Sequence, residues 1–165
     1  MSEDQSSSGT LEHVHDPAVV RDILVSAPAR ATRNLRLFAP TLSDALFNST
    51  EWGEALARFC AQHQNNHFYL LLEDAATTRR RNPILFDNFR KVSDRVSIRE
   101  TTEPYRGLRE FLLIIDDSLV LHQPSLDNLD SVLIRDYRPR IRDFTDRFQR
   151  MWQRATLTTL STTGL

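Results

Sequence analysis

The sequence predicts an α/β fold: a mixed, mostly parallel sheet with helices on both faces. Three observations predict it. Segments with helical spacing alternate with short apolar runs along the first two thirds of the chain. Runs such as HFYLLLED at 67–74 are continuous rather than alternating, the pattern of a strand covered on both faces. Two further runs, EFLLIIDD and SLVLH, are separated only by a tight Asp116-Asp117-Ser118 turn, which puts an antiparallel pair inside the sheet.

The elements follow in order. Residues 1–16 are Ser-rich and acidic, with Glu3, Asp4, Glu12 and Asp16 and no Lys or Arg, and read as a disordered tail. Asp16 is suited to cap a helix that opens with Pro17. Val20, Ile23, Leu24 and Ala27 then recur at helical spacing. NLRLF at 34–38 is a strand stopped by Ala39-Pro40. Asn48 and Glu51 have capping-box spacing before a helix with Trp52, Ala55, Leu56, Phe59 and Cys60 on one face. After the strand at 67–72, Arg79-Arg80-Arg81 reads as a loop. Asn82-Pro83 opens a helix with Leu85, Phe86, Phe89 and Val92 inward.

Val96 and Ile98 mark a third strand, and the hairpin and DSVLIRD supply three more. A final helix from Pro139 carries Ile141, Phe144, Phe148, Met151, Trp152 and Ala155 as one apolar stripe. One domain over 17–156 is expected, with a frayed tail at 157–165.

Composition bounds the chemistry. The chain has 165 residues, 40% hydrophobic and 26% charged, with a formal net charge of -1. That describes one ordinary globular domain without an overall basic field to collect nucleic acid. No apolar run nears the ~20 residues of a membrane span, and the N-terminus lacks the basic and apolar segments of a signal peptide. A cytoplasmic protein is expected. Cys60 is the sole cysteine, so an internal disulfide and a thiolate zinc cage are excluded. The four glycines are far apart, which excludes a P-loop and a dinucleotide-binding turn. Lys91 is the sole lysine among 21 basic residues; coding bias explains the arginine excess more simply than function does.

The informative segment is Arg109-Glu110-Phe111-Leu112-Leu113-Ile114-Ile115-Asp116-Asp117. It resembles the signature strand of the phospholipase D-like superfamily, H-x-K-x-x-x-x-D, with Asp116 on the family aspartate and Leu112 to Ile115 as the aliphatic filling. SLVLH matches the next strand of the family. VLIRD and the aromatic helix after it match the end of one phospholipase D-like half, over roughly Pro17 to Thr156. The departures are decisive. The nucleophilic histidine falls on Arg109 and the phosphate-binding lysine on Phe111. The Gly-Ser-x-x-Asn neighbourhood falls on Gln123-Pro124-Ser125-Leu126-Asp127, without the glycine. Arginine stays protonated and cannot attack phosphorus, and phenylalanine cannot neutralise a phosphate. The alignment therefore implies a non-enzymatic domain without catalytic residue, metal or cofactor. The chain most resembles a bacterial domain of unknown function related to phospholipase D halves, often found after a GNAT-type acetyltransferase. The resemblance implies a homodimer and an acetyltransferase as possible partners. Nucleic acid is not an expected partner.

Arg109, Asp116, Arg106, Asp74 and Arg79 are the candidate ligand-binding residues, for an anion or phosphate. Two of them carry open alternatives. Asp116 is either a retained site residue or the first residue of the hairpin turn. Arg109 either binds an anion or pairs with the neighbouring Glu110 or Asp116. A hydrolase or transferase with a rebuilt site would need Thr41, Ser43, Asp44, Asp74, Arg106, Arg109 and Asp116 to converge in one pocket. Nucleic-acid binding would draw on Arg79–Arg81 and on residues 135–154, where seven arginines face three aspartates. The simpler reading of the helical part is a solvated face with i, i+4 pairs such as Asp143–Arg147. His122 reads as surface or half-buried, Cys60 as core, and His13-x-His15 and His63/His67 as too sparse for a metal.

Overall fold

The computed structural model describes residues 9–158. Its strands are β1 (Thr10–Val14), β2 (Asn34–Ala39), β3 (His67–Leu72), β4 (Val96–Glu100), β5 (Phe111–Ile115), β6 (Leu119–Gln123), β7 (Ser131–Arg135) and β8 (Thr156–Thr158). Its helices are α1 (Pro17–Arg30), α2 (Asp44–Phe47), α3 (Thr50–Gln62), α4 (Ala75–Arg81), α5 (Pro83–Lys91) and α6 (Arg138–Arg154). The strands form one sheet in the order β1-β7-β6-β5-β2-β3-β4-β8. The fold is a mixed α/β sheet flanked by helices on both faces.

The parallel share of that sheet is smaller than expected. Only β2–β3 and β3–β4 pair in parallel. β5, β6 and β7 follow one another through short connections, which permit only antiparallel neighbours. The link at 101–110 carries the chain back past β3 and β2, so that β5 pairs antiparallel with β2.

Strand alternation divides the interior in two. Leu35, Leu37, Phe68, Leu70, Leu113 and Ile115 join the larger core with Ile23, Trp52, Leu56, Phe59, Leu85 and Phe89 from α1, α3 and α5. Phe38, Leu71, Leu112, Ile114 and Val120 face the other way, onto Ile141, Phe148, Met151 and Trp152 of α6. Each such large apolar side chain contributes roughly 1.5–3 kcal/mol relative to exposure.

Local chemistry accounts for the ends. The Asp16 carboxylate accepts from Ala18 N at 2.9 Å, and Pro17 occupies the first turn of α1. α3 is capped one residue later than the spacing suggests. Ser49 has the extended backbone of a cap, and its hydroxyl accepts from Trp52 N at 3.1 Å. Asn48 serves α5 instead, accepting from Ile84 N at 2.9 Å. Gly53 is needed where α3 meets α5, since a Cβ there would stand 2.3 Å from the Asn88 amide.

Three boundaries are corrected. The expected disordered tail contains β1, which pairs along its whole length with β7. Its side chains are exposed apart from Val14, so backbone hydrogen bonding orders it without any periodic apolar signal. The expected frayed end contains β8, paired with β4; residues 159–165 lie outside the described residues, as do residues 1–8. Arg79–Arg81 form the last turn of α4 rather than a loop. Among the described residues no helix is long and apolar enough to cross a membrane.

Candidate functional site

Because β5 runs against β2, its start lies at the end of the sheet where β2, β3 and β4 finish. Arg109, Glu110 and Phe111 therefore stand beside the connections at 40–41, 73–74 and 101–102. Open α/β sheets place ligands beyond the carboxyl ends of their parallel strands.

Arg109 is exposed, and its Nε and Nη2 each lie 3.2 Å from Asp127 Oδ1. It pairs with neither Glu110 nor Asp116, the acids its place in the strand suggests, because both are engaged elsewhere; its partner comes from the 124–130 loop instead. Phe111 is half-buried against the larger core. The start of β5 thus holds an ion-paired guanidinium and an apolar ring.

Asp116 lies at the other end of β5, about 17 Å of extended chain from Phe111. Its carboxylate accepts from Thr32 N (3.0 Å), Arg33 N (2.8 Å), Asn34 N (2.9 Å) and Thr32 Oγ1 (3.0 Å). Its own N–H donates to Asn34 O at 2.8 Å. With φ at 51° it turns the hairpin in the left-handed region, which Asp tolerates. Asp116 is an anchor that fixes the entry to β2, not a ligand group beside Arg109.

The remaining candidates also separate. Asp74 caps α4, accepting from Thr77 N at 2.9 Å and Thr77 Oγ1 at 2.7 Å. Those two hydrogen bonds hold its carboxyl below the usual range. Arg79 belongs to the last turn of α4, where its carbonyl accepts from Asn82 N. Arg106 is exposed on the 101–110 link and lines a cleft of about 430 Å³ with Glu73, Glu100, Thr101 and Glu103. Thr41, Ser43, Asp44, Asp74, Arg109 and Asp116 do not line that cleft. The convergence that a rebuilt hydrolase site requires is not there.

The most strongly coupled polar cluster at this end was not legible as a site in the sequence. Glu110, between Arg109 and Phe111, alternates onto the α6 face of the sheet. There Arg147 Nη2 donates to its Oε1 at 2.7 Å and Arg147 Nη1 donates to Oε2. His122, opposite Leu112 on β6, lies 2.6 Å from the same Oε2 through Nε2. The Glu110 side chain is 9% exposed. Burial by itself raises its pKa, but hydrogen bonds from His122 and Arg147 outweigh burial and hold the carboxyl down at about 2. Donating to Glu110 raises the pKa of Arg147 in turn. The His122 ring also packs on Phe144 at 4.9 Å. The signal was a charged residue at an inward position of an apolar strand, which must find a partner when buried. Chemically the cluster is closed: both carboxylate oxygens are engaged, and no hydroxyl or thiol nucleophile contacts His122. It ties β5, β6 and α6 together.

Cys60 is buried in the larger core, as its place on the apolar face of α3 implies. His67 Nε2 lies 2.8 Å from Ser97 Oγ, and burial lowers its pKa. His15 Nδ1 lies 2.6 Å from Asp130. Burial pushes the Cys60 thiol up to about 11, away from reactivity. Among the described residues no group of three His, Cys, Asp or Glu could hold a metal ion.

The fold is similar to that of known proteins. Nuc from Salmonella typhimurium, a phospholipase D family member, superposes with a TM-score of 0.66 at 13% identity, over 92% of this chain and 99% of that one. NucT from Helicobacter pylori gives 0.61 at 12%, over 92% and 100%. TrmBL2, an archaeal chromatin protein, gives 0.58 at 13%, over 90% of this chain and 54% of its own. At such identities the likeness concerns the fold, which is phospholipase D-like. No curated protein matches the sequence. A family model does match, over residues 16–160, nearly the whole ordered unit just described. The chain therefore belongs to the family described as a domain of unknown function, DUF7931.

Proposed function

We propose that this is a non-catalytic phospholipase D-like domain that acts by binding, as an adaptor or regulator. One observation carries the reading. At the end of β5 where the superfamily has its histidine and lysine, Arg109 is paired with Asp127 and Phe111 is packed on the core. Phosphodiester transfer through a covalent intermediate needs a nucleophile there, and a protonated guanidinium is not one. The test is turnover of bis(p-nitrophenyl) phosphate, single-stranded DNA and phospholipid vesicles across a broad pH range. The expected result is no turnover above buffer. Turnover abolished by Arg109→Ala would overturn the proposal. Association as a homodimer across the motif-bearing face belongs to the same reading, and a monomeric mass by sedimentation at micromolar concentration would contradict it.

A second reading, nucleic-acid binding, draws on the likeness to TrmBL2, whose structure is described as showing a novel mode of DNA binding. Arg138, Arg140, Arg142, Arg150 and Arg154 are exposed on α6 and would supply the phosphate contacts. It predicts a mobility shift whose affinity falls steeply with salt. Absent or salt-independent binding would remove it.

A further inference from the structure

We infer that the sheet face at the starts of β2, β3 and β4 binds a phosphate group, free or on a small organic ester. The first observation is how α6 crosses the sheet. Helices α1, α3 and α5 pack one face, and among the described helices α6 alone packs the other. α6 begins beside the hairpin turn, where Arg138 lies 3.9 Å from Asp117. It then runs diagonally: Phe144 packs on His122 of β6, and Trp152 on Tyr69 of β3. The corner it leaves open carries Asn34, Arg36, His67, Tyr69 and Ser97, all half-buried. Asn34 and His67 are register partners, as are Arg36 and Tyr69, and Tyr69 and Ser97. They form one contiguous polar block. Strands in the parallel part of a sheet are usually apolar on both faces, so a polar block there calls for a partner.

The second observation is an unpaired charge. Arg36 stands on β2, in the middle of the sheet, and its guanidinium lies 5.4 Å over the Tyr69 ring. It makes no hydrogen bond or ion pair among the described residues. Arg95, Arg99 and Arg147, also half-buried, each donate to a carbonyl or a carboxylate. Burial holds the Arg36 pKa below its ordinary value. Asp116, a carboxylate that Arg36 feels electrostatically, is turned onto the backbone of 32–34. A half-buried charge without a partner destabilises the fold, and a bound anion is the partner this one lacks. The Asn34 amide and the Tyr69 hydroxyl are likewise without hydrogen bonds among the described residues. Arg142, Thr145, Gln149 and Trp152 share one flank of α6 by their spacing. Trp152 shows that this flank faces β3, so the exposed Arg142 overhangs the open corner. Two guanidiniums, an amide and a hydroxyl thus donate into one small region. They suit a tetrahedral dianion with several acceptor oxygens better than a carboxylate with two.

The inference names a ligand for the binding role proposed above, at a place apart from Arg109. The two fail separately: turnover at β5 leaves the phosphate site standing, and a missing phosphate effect leaves the domain non-catalytic. The experiment is the melting temperature of the full chain with inorganic phosphate, phenyl phosphate or oligothymidine, against sodium chloride at matched ionic strength. A ligand of the native state raises the melting temperature by mass action. Phosphate and phenyl phosphate should each raise it and should compete for one site in calorimetry. Arg36→Met keeps the apolar stem and drops the unpaired charge. It should raise the melting temperature of the free protein and weaken phosphate at least about tenfold. Arg36→Lys retains the charge without the planar fork and should weaken phosphate about three- to tenfold. Arg142→Gln should weaken it about two- to fivefold. Arg58→Gln, the same loss of charge on the exposed side of α3, should leave it unchanged. A guanidinium that serves only the Tyr69 ring gives the reverse for Arg36→Met, a lower melting temperature with phosphate binding intact, and that result would overturn the assignment. Phosphate affinity unchanged in both Arg36→Lys and Arg142→Gln would also overturn it. So would stabilisation by oligothymidine without any by phosphate, in favour of the nucleic-acid reading.

Discussion

The two ends of β5 have had different fates. At its C-terminal end, Asp116 keeps the residue type of the superfamily signature and accepts four hydrogen bonds from Thr32, Arg33 and Asn34. At its N-terminal end stand Arg109, in a solvent-exposed ion pair, and Phe111, on the core. Four residues, Leu112 to Ile115, separate Phe111 from Asp116. The difference teaches that the aspartate is held by folding rather than by reaction. It fixes where β2 begins, and β2 is the strand against which both the parallel unit and the hairpin are registered.

The largest expected effect lies at the N-terminal end, at Glu110. Glu110→Ala removes the partner of a half-buried arginine and of a histidine at once, and should destabilise the fold by about 3 kcal/mol in urea unfolding. A loss below about 1 kcal/mol would show that the cluster is not a structural tie. The pH dependence sharpens this. The folded Glu110 carboxyl sits near 2 against an ordinary 4.5, so in that interval the unfolded chain binds the extra proton. Stability from this group is complete above about 4.5 and is lost as pH falls toward 2. Wild type and Glu110→Gln should therefore converge in stability as pH is lowered through that window. Curves that stay parallel would mean that the charged form is not the stabilising one.

Asp116→Ala follows, at about 2–3 kcal/mol. It leaves backbone N–H groups of 32–34 without their acceptor and puts alanine at a φ of 51°. Asp116→Asn retains an acceptor and tolerates that backbone, so it should cost less than half as much. If the two variants lose equally, the carboxylate charge rather than the geometry holds the loop.

The sequence reading reached most of the fold and little of the site, for a physical reason. Elements whose interior is apolar announce themselves: the stripe on α6 and the runs in β3 and β5 are periodic or continuous in hydrophobicity. Ile141, Phe148, Met151 and Trp152 are buried as their spacing implies. β1 and β8 are edge strands ordered by main-chain pairing, and TLEHV carries no periodic signature of that. α4 is a short turn of Arg and Thr residues held by the Asp74 cap and by the Thr78 hydroxyl, which donates to Asp74 O at 2.9 Å. Asp116 was legible as a turn residue, but its acceptor role depends on residues 84 positions earlier. Arg147 looked like a partner for Asp143 one turn away. It reaches Glu110 instead, since the strand presents a buried carboxylate to that side of the helix. Charge pairing across elements is set by topology, which spacing along the chain does not encode.

The smaller effects test the chemical end. Phe111→Lys should cost about 1 kcal/mol, because a lysine stem can cover part of the apolar surface while its ammonium reaches water. Arg109→Ala should be smaller still, at most about 0.5 kcal/mol. The Arg109 and Asp127 side chains are 64% and 71% exposed, and pairs of that kind contribute little. The loop at 125–127 also keeps a second tie that the variant does not touch, Leu126 N to Arg109 O at 2.9 Å. Combining Arg109→His with Phe111→Lys writes the superfamily residues back into the strand at this modest cost in stability. The double variant should fold and still not hydrolyse bis(p-nitrophenyl) phosphate. A histidine nucleophile needs its attacking nitrogen oriented and its partner groups in place. The acid beside it, Glu110, faces the other side of the sheet and is already engaged by His122 and Arg147. Hydrolysis by the double variant, measured against the single Phe111→Lys control, would mean that this end of β5 lost only two side chains and kept the rest of a reactive site.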